Sequence, residues 1–179
     1  MEIKEPKVKG ILFLHAILFA KKRMGEDSIE KLGVAGKRYD MERWYPYSDF
    51  CGILDKMLQM IPDKKTKLAY KVGHDVFFGD VRWLPMFKGK DPKEVFSTNK
   101  RQDNLFLVGR FEMVSVENGL VLVKMTLWSK DGKSNEVWAQ YYHGMLQGIM
   151  DLAGRSGQVR MEEKSEDDER AWFFRMTWQ

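Results

Sequence analysis

Residues 141–154 read YYHGMLQGIMDLAG. The stretch reads as part of a helix running from about Asn135 or Glu136 to Ala153 and stopped by Gly154. Two glycines, Gly144 and Gly148, nevertheless sit four residues apart on one face of it. Each costs a helix interior roughly 1 kcal/mol relative to alanine. A pair on one face makes sense if the helix lies unusually close to a sheet or to a neighbouring helix, giving up intrinsic propensity for contact.

The flanks of this helix change period. Downstream, Val159 and Met161 start a strand, EEKSEDDER forms an acidic turn, and Trp172, Phe174, Met176 and Trp178 alternate through another strand. Upstream, Phe111 and Met113 with the opposite-facing Val114 and Val116 lead into Glu117-Asn118-Gly119-Leu120. Asn-Gly between two apolar runs is a strong hairpin signal, because the turn needs positive φ. The return strand covers residues 120–128 and ends at the polar loop SKDGKSN.

The amino-terminal half is helical in pattern. Residues 10–24 place Ile11, Leu14 and Leu18 at helical spacing, and Lys21, Lys22 and Arg23 suit the negative end of the dipole before Gly25. A short helix capped by Asp27 or Ser28 follows. Tyr47, Phe50, Leu54, Met57, Leu58 and Ile61 then mark an amphipathic helix stopped by Pro62. The next helix begins between Asp63 and Thr66 and is apolar on two faces, Leu68, Val72 and Val76 on one and Tyr70, His74 and Phe77 on the other. Pro85 breaks the pattern, and residues 92–99 form a helix with Asp91 as cap and Pro92 in the first turn. The predicted class is α+β: N-terminal helices packed on a four-stranded antiparallel sheet made of two hairpins joined by a long helix. One domain spans 1–179, with a mainly helical half at 1–104 and a strand-strand-helix-strand-strand half at 105–179.

Composition narrows the function classes. Hydrophobic residues are 44% and charged residues 31%, enough for a core and incompatible with wholesale disorder. Lys and Arg number 30 against 26 acids, and they are interleaved with them, so no basic stripe for nucleic acid stands out. The single cysteine, Cys51, allows no internal disulfide and fits a reducing, bacterial-type cytoplasmic setting. The longest apolar run, residues 11–20, is too short to span a bilayer, so no integral membrane segment is expected.

The segments WAQYYHGMLQGIMDLAGRSGQVRMEEK and WFFRMTW resemble the end of the 4-vinyl-reductase-like ligand-binding domains. They are closer still to a myxobacterial-type family of uncharacterised paralogues. WYPYSDFCGILDKML and KLAYKVGHDVFFG resemble the preceding helices of that family. The resemblance extends to the haem nitric-oxide-binding domains and to the transport-particle subunits of Golgi tethering, and covers most of residues 24–179. It implies a ligand-binding or scaffold fold. The vinyl-reductase-like domains often carry metal-binding cysteines in the last hairpin, and VRMEEKSEDDERAWFF has none. The haem-binding relatives use an axial histidine and a Tyr-x-Ser-x-Arg clamp. His74 lies on a helix, but the clamp is missing. Neither metal nor haem is therefore expected, and the cofactor expectation is none.

His15, His74 and His143 are far apart in sequence and read as core-edge or surface residues. Cys51 reads as a small buried hydrophobe rather than an acylated thiol. Trp44, Tyr45 and Tyr47 either gate a cavity or staple a helix start. Met57, Met60, Met113, Met125, Met145, Met150 and Met176 fall in segments that face one core. No nucleophile–base pair is visible, so no catalytic residue is expected and the chain reads as no enzyme. The functional reading is a small-molecule-binding or regulatory domain holding a hydrophobic molecule or acyl chain in an apolar cavity between sheet and helices. The expected ligand residues are Tyr47, Phe50, Leu54, His74, Phe77, Tyr142, Met145 and Ile149. The alternative is a protein-interaction or scaffold module acting as a homodimer without ligand.

Overall fold

A computed structural model of the chain describes residues 6–61, 65–78, 84–97, 106–128, 132–166 and 169–179. In chain order the elements are β1 (Lys7–Lys9), α1 (Gly10–Met24), α2 (Ser28–Lys31), β2 (Trp44–Pro46), α3 (Tyr47–Met60), α4 (Lys65–Phe78), α5 (Leu84–Phe87), α6 (Pro92–Ser97), β3 (Phe106–Leu107), β4 (Gly109–Glu117), β5 (Leu120–Leu127), α7 (Gly132–Leu152), β6 (Gly157–Glu166) and β7 (Glu169–Trp178).

The helices form where the apolar spacing and punctuation demand them. In α1, Leu12, Phe13, Ala16, Phe19 and Ala20 are buried, a stripe that recurs every three to four residues. Gly25 stops it at φ 84°, its N–H bonded to the Lys21 carbonyl. In α3 the buried stripe is Tyr47, Phe50, Cys51, Leu54, Met57 and Leu58. Asp91 caps α6 by accepting the Lys93 N–H at 2.8 Å. The expected break at Pro85 is instead one helical turn, α5, because a proline in the first turn removes no helical hydrogen bond. α7 starts at Gly132, inside the stretch expected to be loop. Asp131, Ser134 and Asn135 are all good cap formers, so sequence alone leaves that boundary open by a turn. Pro62 and the acidic turn at 167–168 lie outside the described residues.

The described residues form two sheets. The larger is antiparallel, in the order β4-β5-β7-β6. The tip of its first hairpin is Asn118-Gly119, with Gly119 at φ 76°. Cross-strand rows of its inner face are Val121–Met176–Val159 and Val123–Phe174–Met161. A bulge between Met113 and Ser115 turns Val114 out to 51% exposure. Met113, expected in the core, is 38% exposed on this edge strand. The smaller sheet, β2-β1-β3, ties residues 7–9 to 44–46 and 106–107. The sequence does not announce it, since strands of two and three residues carry no readable alternation.

The expected stacking of N-terminal helices directly on the sheet needs correction. α7 is the middle layer, packed on β6 and β7 on one side and against α3, α4 and α5 on the other. Among the described residues, α6 is the one N-terminal helix in substantial contact with β4 and β5. A single apolar cluster runs from Val8 and Phe13 through Phe50 and Trp138 to Phe174 and Trp178. Among the described residues no helix is long and apolar enough to cross a membrane.

Candidate functional site

The paired glycines of α7 are explained by α4. A Cβ added to Gly144 would stand 2.0 Å from the Tyr70 carbonyl oxygen, and one on Gly148 2.7 Å from that of His74. Gly73 of α4 is the reciprocal notch, with the Tyr141 carbonyl oxygen 1.9 Å from its would-be Cβ. Three glycines thus let two helices cross backbone to backbone, a contact that any side chain would forbid. The crossing fixes what α7 presents to either side.

Towards α1 and α3 it presents an aromatic layer. The Phe50 ring lies edge-on to Phe13, Trp138 and Tyr141 at 5.4, 5.8 and 5.2 Å between centres. Tyr47 meets Trp138 at 5.6 Å, and Trp138 stacks on Tyr141 at 5.2 Å. All five are essentially excluded from solvent. The Tyr141 hydroxyl is fully buried with no hydrogen-bond partner among the described residues, and burial pushes its pKa well above the ordinary phenol value. An unsatisfied buried hydroxyl costs about 1–3 kcal/mol.

Of the expected ligand residues, Tyr47, Phe50 and Leu54 are buried on α3, and Met145 and Ile149 are buried on α7. Tyr142 turns to the sheet, 5.0 Å from both Phe111 and Phe174. His74 does not join them: its Nε2 is 2.8 Å from Asp151 Oδ2, with both side chains partly exposed. The side chain of Phe77 lies outside the described ones. Cys51 is buried, as expected of a small hydrophobe. Tyr45 packs on Phe13 and accepts the Asp40 N–H at its hydroxyl. Sequence reading missed Trp138, Tyr141 and Gly73. Trp138 lies a turn before the tyrosine pair, and that spacing was the available signal.

A polar seam runs along the other flank of α7. Gln147 Nε2 donates to Asp151 Oδ1 at 2.8 Å, and Gln147 Oε1 accepts the Val159 N–H at 2.8 Å. His143 Nε2 lies 2.9 Å from the Val159 carbonyl. A carbonyl only accepts, so that nitrogen carries the proton. The imidazole is wedged between Tyr70 and Phe174, and burial lowers its pKa.

This burial gives stability a pH dependence of definite sign. The unfolded histidine titrates near 6.5 and the folded one lower. The contribution of neutral His143 is whole above about pH 6.5 and is lost as pH falls through the folded value. His143→Gln should flatten the fall in urea midpoint between about pH 7.5 and 5 relative to the wild type. An unchanged slope would mean that this imidazole does not set it.

No family model and no curated protein matches the sequence. Solved structures do match in fold. An Fe(II) unliganded H-NOX protein from K. algicida is 15% identical at TM-score 0.69, covering 96% of each chain. A doubly substituted Tt H-NOX is 14% identical at TM-score 0.72, covering 96% of this chain and 95% of that one. An H-NOX protein studied for haem distortion is 13% identical at 0.67, with the same coverage. The chain therefore has the H-NOX fold over nearly its whole length. No family model or curated relative supports the vinyl-reductase-like or myxobacterial-type naming.

Among the described residues the packed aromatic layer does not fit a haem. An axial imidazole needs a ring nitrogen open to a flat apolar slot. His74 Nε2 is engaged by Asp151 and His143 Nε2 by the Val159 carbonyl, while His15 lies half-buried on α1. The layer between α1, α3 and α7 holds aromatic rings in mutual contact. Among the described residues no cluster of His, Cys, Asp or Glu suits a metal ion.

Proposed function

We propose that the chain is a non-enzymatic, single-domain regulatory module on the H-NOX fold that works without haem in a reducing, cytoplasmic setting. Its ligand is a small, largely apolar molecule carrying one acceptor oxygen, taken up at the aromatic layer beside Phe50, Leu54, Trp138 and Met145. The Tyr141 hydroxyl donates to that oxygen. One observation carries this reading: a fully buried tyrosine hydroxyl with no partner among the described residues, a group that folded chains rarely leave unsatisfied. The fold shared with H-NOX proteins supports a sensory rather than catalytic role. An acyl chain remains within this class only if its carbonyl reaches Tyr141.

The test is Tyr141→Phe beside the wild type, both purified under native conditions. Native mass spectrometry should find a small molecule on the wild type and at least about tenfold less on the variant. With bound small molecules removed, the variant's unfolding free energy in urea should equal the wild type's or exceed it by up to about 1 kcal/mol, because an unsatisfied buried group has been removed. Added haemin should give no stoichiometric Soret complex with either. A bare wild-type mass would overturn the ligand reading. A tight haem complex would overturn its haem-free part.

A second reading, an interaction module without ligand, is favoured by the close ring packing of the same layer. Light scattering that shows a homodimer with no bound small molecule would select it.

A further inference from the structure

The face of the large sheet turned away from α7 carries a charge arrangement from which the fold gains nothing. Cross-strand register sets Arg175 of β7 directly opposite Arg160 of β6, and both are exposed. Leu122 of β5 completes their row. The adjoining row is Lys124–Phe173–Glu162. Like charges directly opposite destabilise paired strands. Three carboxylates of the same face already have partners: Arg110 holds Glu112 at 2.7 Å, Lys164 holds Glu162 at 3.6 Å, and Glu117 accepts the Ser115 hydroxyl at 2.8 Å. Among the described residues neither Arg160 nor Arg175 is in an ion pair.

We infer that this surface docks an acidic segment of a partner protein. Its carboxylates bridge the two guanidinium groups, and its apolar side chains rest on Leu122 and Phe173. Arginine forks suit carboxylates in two-pronged geometry. A nucleic acid would meet Glu112 and Glu162 beside the arginines instead of an unbroken basic stripe. Interleaved leucine and phenylalanine likewise suit a protein surface rather than a phosphate backbone. Beyond the arginines, the ends of the same two strands frame an open groove of about 490 Å³ lined by Ser156, Gln158, Thr177 and Gln179. Its hydroxyl and amide groups can bond a peptide backbone leaving the arginine pair. This inference rests on the sheet face alone and is independent of the ligand reading.

The experiment is fluorescence anisotropy of the full chain with a labelled peptide of alternating Glu and Leu. Saturable binding that weakens with added salt is expected. The double variant Arg160→Gln/Arg175→Gln should bind at least about tenfold more weakly, with a Tm equal to or above the wild type's. Lys37→Gln/Arg38→Gln makes the same charge change on an exposed loop and should bind within about twofold of the wild type. No binding by the wild type, or equal loss in both double variants, would overturn the proposal. Tighter binding of inorganic polyphosphate through the same arginines would also overturn it, since the surface would then serve phosphate.

Discussion

Gly144→Ala should destabilise the protein by about 2–4 kcal/mol, more than an average core substitution. The added methyl would meet the Tyr70 carbonyl oxygen at 2.0 Å and the His74 backbone nitrogen at 2.8 Å. Neither atom belongs to a side chain that can rotate away, so the two helices must part by roughly an ångström along their shared surface. Parting them forfeits dispersion contacts along the whole crossing. The roughly 1 kcal/mol that alanine gains in helix propensity has the opposite sign and is the smaller effect. Gly73→Ala should match it, because its methyl would meet the Tyr141 carbonyl at 1.9 Å. Gly148→Ala should cost less, its nearest obstacle standing at 2.7 Å. Gly52 of α3 is the internal control. Nothing lies within 4 Å of its would-be Cβ, so alanine there should stabilise by about 0.5–1 kcal/mol. Urea denaturation of the four variants gives the ranking. A neutral Gly144→Ala would show that the crossing is looser than described.

Phe50→Ala carries the second large effect, a loss of about 3–5 kcal/mol. Phe50 is fully buried and touches Phe13, Trp138 and Tyr141 edge-on, so its removal opens a void bounded by three rigid rings. Rings held on separate helices cannot all collapse into that void, which places the cost high in the range. Phe50→Leu, which keeps much of the volume, should cost nearer 1–1.5 kcal/mol. Equilibrium unfolding measures both, and near-ultraviolet circular dichroism reports whether Trp138 keeps its asymmetric surroundings. A loss below about 1 kcal/mol for Phe50→Ala would mean that the layer is fluid rather than fitted.

How much of this was written legibly in the chain depends on the range of the interaction. The Asn118-Gly119 hairpin, the stripe of α3 and the Asp91 cap were readable because each is decided within a few neighbours. The α1 stripe is offset from the expected Ile11, Leu14 and Leu18: the buried side chains are Leu12, Phe13, Ala16, Phe19 and Ala20, and Leu18 is 40% exposed. The Gly144–Gly148 face announced a close approach, yet not its object. Choosing α4 over the sheet required seeing Gly73, a lone glycine whose meaning appears only against its partner. The small sheet was illegible because its register is imposed by distant segments. Of the candidate site, the burial of Tyr47, Phe50 and Leu54 on α3 was legible from period alone. His74, on the second apolar face of α4, pairs with a carboxylate, Asp151, a partner that helical spacing alone does not name. Tyr141 was passed over for its neighbour Tyr142, since one residue of offset decides which layer a ring enters.

The bonds that Gln147 and His143 make to Val159 reach further than α7 itself. They occupy both outward peptide groups of that residue, on the strand at the border of the sheet. A foreign strand seeking to add there finds no donor and no acceptor to template on at that position. The opposite rim, β4, is interrupted by its bulge at Val114. Each border of the sheet is thereby interrupted at one point against runaway stacking, by a bond lent from a neighbouring helix on one rim and by a device built into the strand on the other.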